Sequence, residues 1–207
     1  LINYMIIVDN GLGNLASIFN MLRQIGLSPD VTNDYDQISK STDIILPGVG
    51  NFKKGIENLK EKNIHTAILN AANDKSRILG ICLGMHFLFD KSDEGDEKGL
   101  GLIEGKVIKF SLKNENYKVP HMGWNFVNFK INSDFYFKYK DRTKFYFAHS
   151  YYADCKNKKN IVGETNYCIE FPSAVQKENI YGVQFHPEKS HNFGKEFFKN
   201  FYLKNDN

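Results

Sequence analysis

Cys82 is the residue of this chain best suited to act as a nucleophile. It stands in Gly80-Ile81-Cys82-Leu83-Gly84, a pattern that turns a strand sharply into a helix and holds the central side chain strained and accessible. A helix starting there points its N-terminus at the thiol and favours a thiolate. Its first free N–H, that of Leu83, can hold an oxyanion. A thiolate that attacks a carbonyl needs a base. Of the six histidines, His65 and His191 lie in polar context that suits the surface, whereas His186 closes an apolar run and is followed by Pro187 and Glu188. The proline fixes the local backbone, and the carboxylate can orient the imidazole and support its charged form. Pro47-Gly48-Val49-Gly50 also follows an apolar run. Its glycines let the backbone flip and present the N–H of Val49 or Gly50 to a developing oxyanion. Taken singly, the three segments also read as a buried cysteine, a turn with a satisfied histidine and an ordinary glycine turn. Together they specify a cysteine-dependent acyl-transfer site.

Two rivals compete for the same chain. Gly11-Leu12-Gly13-Asn14-Leu15-Ala16 fits the dinucleotide fingerprint after a strand and before a helix, with Asp30 and Asp34 near the distance a ribose contact needs. A nicotinamide-dependent oxidoreductase would leave Cys82 and His186 without a task, and Asp9 and Asn10 part the strand from the first glycine. His186, Glu188 and His191 could be offered as metal ligands, but their spacing across a proline fits no helical metal motif. The expectation is no metal and no cofactor.

The elements that must position these residues follow from periodicity. Met5–Val8, Ser28–Thr32, Thr42–Leu46 and Arg77–Cys82 read as short strands. Between and after them, helices are expected over Asn14–Ile25, about Lys53–Asn73 and Leu83–Asp90. That alternation predicts a parallel sheet covered on both faces, with Cys82 and the Pro47 segment at one carboxyl edge. After Gly99 the rhythm changes to alternating aromatic and polar residues, as in Trp124–Phe129 and Lys144–Ala148, which predicts antiparallel strands. Ile180–Phe185 is a last strand leading into His186, and Lys195–Leu203 a closing amphipathic helix.

The 207 residues suffice for one domain spanning 1–207. Charged residues are 25% of the chain and its 27 Lys and Arg nearly balance 24 Asp and Glu, so charge gives a nucleic-acid partner no support. Three cysteines, at 82, 155 and 168, form neither an even set nor a CxxC pair, which suits a reducing cytoplasm rather than a disulfide framework. The longest apolar runs are far shorter than a membrane span. Met5 opens a clean strand and is expected to be the native start, with 1–4 a non-native leader.

These segments resemble class I glutamine amidotransferases over nearly the whole chain. Within that class the chain is similar to the glutaminase subunits of imidazole glycerol phosphate synthase. Val8–Leu15, Leu46–Gly50, Gly80–Met85, Pro120-His-Met-Gly-Trp-Asn125, Phe147–Tyr151 and Gly182–Ser190 occur in the family's order. The resemblance implies a flavodoxin-like three-layer α/β fold, with a mixed, mostly parallel sheet flanked by helices and a small antiparallel sheet in the second half. It implies that Cys82 attacks the carboxamide of glutamine, His186 shuttles protons and Glu188 orients His186. Val49, Gly50 and Leu83 would form the oxyanion hole, and Gly48, His86, Ser150 and Tyr151 would bind substrate. Ammonia would pass to a (β/α)8-barrel cyclase of the HisF type, contacted through Asn14, Met122, Trp124 and Lys189. Two residues depart from the family pattern: Asn10 stands where a Tyr is usual, and His86 where a Gln is usual. Both also fit a paralogue that supplies ammonia, with a HisF-like partner, to a sugar amidotransferase in surface-glycan synthesis.

Overall fold

The computed structural model describes residues 4–111, 117–130 and 143–203; of the expected leader, residues 1–3 lie outside them. The first half alternates strand and helix: β1 (Met5–Val8), α1 (Leu15–Gln24), β2 (Asp30–Thr32), α2 (Tyr35–Lys40), β3 (Asp43–Leu46), α3 (Phe52–Glu61), α4 (Ile64–Asn73), β4 (Arg77–Ile81) and α5 (Leu83–Phe87). Strands then dominate: β5 (Phe89–Ser92), β6 (Glu97–Lys98), β7 (Ile103–Lys109), β8 (His121–Phe126), β9 (Asn128–Phe129), β10 (Lys144–His149), β11 (Tyr151–Cys155), β12 (Ile161–Tyr167), β13 (Ile169–Lys177) and β14 (Ile180–Val183), before α6 (His191–Leu203).

Eight strands form the main sheet in the order β2-β1-β3-β4-β14-β13-β12-β9. The five from β2 to β14 are parallel and the remaining pairings antiparallel. That parallel run has the doubly wound order in which ligands sit beyond the carboxyl ends of the strands. β1 and β3 are buried at every position, as expected of strands covered on both faces. The pleat divides them: Ile6, Val8, Ile44 and Leu46 join the core under α3 and α4, while Met5, Ile7 and Ile45 join Ile18 and Leu22 of α1 and Phe197, Phe198 and Phe201 of α6. Arg77 pins α6 to the sheet. Its Nε donates to Asp43 at 2.5 Å, its guanidinium donates to the Phe201 carbonyl and lies over the Phe201 and Tyr202 rings.

Two smaller sheets rise from the carboxyl edge: an antiparallel ribbon of β8 and β10, and a four-stranded sheet ordered β11-β7-β5-β6. The second is mixed, because β5 runs parallel to β7.

The structure corrects two helices. The expected helix over Lys53–Asn73 is two, broken at Asn63, whose φ of 56° is left-handed, a conformation asparagine tolerates better than most residues. The expected helix over Leu83–Asp90 stops at Phe87, because Phe89–Ser92 is taken into the small sheet between β7 and β6.

Candidate active site

Cys82 sits between β4 and α5 with φ 54° and ψ −108°, a region that costs a non-glycine residue of order 1–3 kcal/mol. Its neighbours make the turn possible. A Cβ on Gly84 would collide with the Leu46 carbonyl, and one on Gly80 would lie 2.6 Å from the Gly84 carbonyl oxygen. The Cys82 N–H is held by the Val183 carbonyl of β14 at 2.8 Å. The strain is therefore fixed by close backbone contact across three neighbouring strands. Leu83 opens α5, and N–H groups of a first helical turn have no intrahelical acceptor.

His186 follows β14, the strand beside β4, so Cys82 and His186 leave adjacent parallel strands at the same end. His186 Nδ1 lies 2.7 Å from Glu188 Oε1, which leaves the other ring nitrogen for its hydrogen bond with Cys82. Burial disfavours the imidazolium, but the charge of Cys82 and hydrogen bonds to Cys82 and Glu188 outweigh it and raise the pKa of His186 to about 10. Glu188 Oε2 is buried and has no hydrogen-bond partner among the described residues, a costly state that functional sites tolerate. The backbone of His186 is locked to the ribbon: its N–H donates to the Tyr146 carbonyl, Tyr146 N–H donates to Ser190 Oγ, and Ser190 Oγ donates to the His186 carbonyl at 2.6 Å. Tyr146 in turn pairs with Trp124 of β8.

A cavity of about 310 Å³ opens over this group and is lined by Cys82, Leu83, Val49, Gly50, His86, Ser150, Tyr151, Met122, Lys189 and their neighbours. Of the residues expected at the site, Gly48 stands apart: it is packed against Leu83 and Gly84, where a Cβ would lie 2.9 Å from Leu83 Cβ. Asn14 also lies off the cavity and caps α1, accepting from Ser17 N–H. The glycine turn is clamped at both ends. Asn10 Nδ2 donates to the Pro47 carbonyl at 2.9 Å, while Glu94 accepts from Phe52 N–H and Asn51 Nδ2 at the start of α3. Gly50 between them has φ 102° and open space around its Cβ position.

Several site residues escaped sequence reasoning. Gln184 is fully buried, accepts from His86 and lies 3.9 Å from Cys82 Sγ. His149 lines the cavity, and its Nε2 lies 2.9 Å from His121 Nδ1. Phe126, 50% exposed, extends the face of Met122 (62%) and Trp124 (43%) along β8. The alternation of β8 carries that signal, since Met122, Trp124 and Phe126 share one side of the strand. The dinucleotide-like loop is otherwise engaged: its Gly11 and Leu12 N–H groups are taken by Asp9 Oδ1 and Asn10 Oδ1, and Gly13 packs on Pro47. Among the described residues no group of three or more His, Cys, Asp or Glu could hold a metal ion.

A strained thiol, an imidazole held by a buried carboxylate and a glycine turn beside them, on a doubly wound sheet, have the arrangement that cysteine-dependent acyl transfer needs. The family model described as "Glutamine amidotransferase class-I" matches residues 6–205, and the chain belongs to that family. It is 52% identical over 197 residues to "Imidazole glycerol phosphate synthase subunit HisH 2" of Methanococcus maripaludis, covering 94% of this chain and 96% of that one. It is 42% identical to the HisH subunit of Bacillus cereus, covering 94% and 92%, and 38% identical to HisH 2 of Pseudomonas aeruginosa, covering 95% and 97%. Among solved structures, "Structure of PurLQS from Thermotoga maritima" matches with a TM-score of 0.71 at 20% identity, over 97% of this chain and 99% of that one. A crystal structure titled "glutamine amidotransferase" matches at 0.74 and 14% identity, over 95% and 98%. These two support the fold.

Proposed function

We propose that this chain is the glutaminase subunit of imidazole glycerol phosphate synthase, hydrolysing glutamine at Cys82 and passing ammonia to a (β/α)8-barrel cyclase. The observation that carries the chemistry is the strained Cys82 beside an imidazole whose far nitrogen is held by Glu188 at 2.7 Å. The thiolate attacks the carboxamide carbon and a C–S bond forms. The carbonyl oxygen becomes an oxyanion facing the N–H of Leu83 and, once its peptide turns, that of Gly50 or Val49. Collapse breaks the C–N bond, and the leaving nitrogen takes the proton held by His186. His186 then removes a proton from the water that attacks the γ-glutamyl thioester, and C–S cleavage releases glutamate. Glu188 keeps the imidazole oriented and supports its charged form throughout.

The pathway rests on the relatives' names and on the surface beside the cavity. Met122, Trp124 and Phe126 expose apolar area on one side of β8, and such aromatic groups anchor interfaces. Lys189 adds a charge at the same rim, with its Nζ over the Tyr146 ring. A barrel docked here would cap the cavity mouth, so that ammonia leaves without meeting bulk water. Tyr146 links this ribbon to the His186 backbone, so docking bears directly on the base. The reading also makes the chain a soluble, cytoplasmic subunit of one domain. Among the described residues no helix is long and apolar enough to cross a membrane.

The test is glutamate release by the purified chain with its barrel partner and the partner's ribulosyl ligand. Cys82→Ser abolishes hydrolysis and leaves partner binding intact. Full activity in that variant would overturn the reading. A second reading keeps the chemistry and changes the recipient to a sugar amidotransferase. Asn10 and His86, the two departures from the family pattern, favour it. Rescue of a histidine auxotroph by the chain with its partner decides for histidine synthesis, and failure with glutaminase intact decides for the second.

A further inference from the structure

His86 lies in the cavity wall but is 4% exposed, and its Nε2 meets Gln184 Oε1 at 2.8 Å. The same Gln184 carboxamide presents its other end to Cys82 Sγ, 3.9 Å from Nε2. A carboxamide has one accepting and one donating end, so whichever end His86 takes fixes what the sulfur meets. With the imidazole proton on Nε2, His86 donates to Gln184 Oε1, and the amide N–H is directed at the sulfur. With the proton on Nδ1, Nε2 can only accept. The amide would then turn over and set its oxygen lone pairs against the thiolate. Beside the His186 contact and the Ala148 carbonyl 4.0 Å away, the identity and tautomer of residue 86 therefore decide whether Gln184 offers the sulfur a donor or an acceptor.

We propose that His86 acts on the nucleophile rather than on the substrate, as a positioning residue whose Nε2–H holds Gln184 in the orientation that donates to Cys82. This deepens the glutaminase reading and rests on it. Burial supports the arrangement, because it lowers the pKa of His86 to about 4 and so keeps the ring neutral and single-protonated at neutral pH. Besides His186, with Glu188 behind it, the titratable groups lining the cavity with Cys82 and His86 are His149, Glu94, Tyr151 and Lys189, and the variants below replace none of them.

The experiment follows alkylation of Cys82 by iodoacetamide against pH in the isolated full-length chain. Peptide mass spectrometry separates it from Cys155 and Cys168. A hydrogen bond to a charged group removed from the sulfur raises the midpoint by about one pH unit, and this is expected in Gln184→Leu and His86→Leu. His86→Gln retains an N–H donor and returns the midpoint to the parent's. Turnover of glutamine falls roughly tenfold in the leucine variants, the equivalent of that one unit, while KM moves little. An unshifted midpoint in folded His86→Leu overturns the proposal, whether KM rises, as a substrate contact requires, or stays, as simple packing requires. Nitrogen NMR of the histidine-labelled parent needs no variant: the proton is expected on Nε2 of His86, and a proton on Nδ1 overturns the proposal. Glutaminase activity surviving in Cys82→Ser would sink the underlying reading instead, and the alkylation profile would still report on this contact.

Discussion

Four buried histidines surround the candidate site, and their charge divides by neighbour. Burial takes His86 and His121 down to about 4 and His149 well below its ordinary value, with the charges of His121, His86 and His186 adding to the effect on His149. For His186 burial acts the same way but is outweighed by Cys82 and Glu188, and its pKa rises to about 10. The two kinds have opposite consequences for stability. A histidine kept neutral takes up a proton more readily when unfolded, so its contribution is complete above about 6.5 and is lost as pH falls toward 4. For His86 the full loss is roughly 3 kcal/mol. His186 contributes fully below about 6.5 and loses that contribution as pH rises through about 10. The urea midpoint of the parent should therefore fall on going from pH 7 to pH 4.5, and the fall should be shallower in His86→Gln. Parallel profiles for the two proteins would contradict the neutral, buried state of His86.

The elements that present these residues are an elbow, a clamped glycine turn and a ribbon. Asn10 shows how they are tied: its carboxamide reaches from the loop after β1 to the Pro47 carbonyl, and it is wholly buried. Asn10→Ala leaves that carbonyl without its donor, at about 1–3 kcal/mol of stability. Because the turn is argued to hold the oxyanion only in the transition state, kcat should fall further than KM changes. An unaltered kcat in steady-state hydrolysis would detach the turn from catalysis. Strands β1, β3, β4 and β14 could be read from sequence because strands buried on both faces are short continuous apolar runs, whereas β2, Asp30–Thr32, is a largely exposed edge strand. The elbow, the turn and the His186 pair were legible because each is a local pattern. Gln184 and Asn10 were not, since their partners lie 98 and 37 residues away and nothing local distinguishes them from other buried amides. The helix after Cys82 was overlong for a related reason. Phe89–Ser92 has helix-compatible residues but gains more from pairing with β7, a strand contributed by later sequence.

At the scale of the whole molecule, the doubly wound sheet brings the ends of β3, β4 and β14 to one edge, and the glycine turn, Cys82 and His186 leave from those ends. Two clusters of apolar side chains, one on each face, hold that edge in place. Over it the β8–β10 ribbon exposes Met122, Trp124 and Phe126, the surface assigned above to the barrel partner. The ribbon's inner strand holds the His186 backbone, so a partner on the outside and the base on the inside share one ladder of hydrogen bonds. Hydrolysis at this site requires that glutamine reach Cys82. A glutamine-shaped diazoketone, incubated with the chain and its partner and followed by peptide mass spectrometry, tests this. One adduct on Cys82, suppressed by excess glutamine and absent in Cys82→Ser, is predicted. Labelling of Cys168 instead, or labelling of Cys82 that glutamine does not suppress, would contradict it.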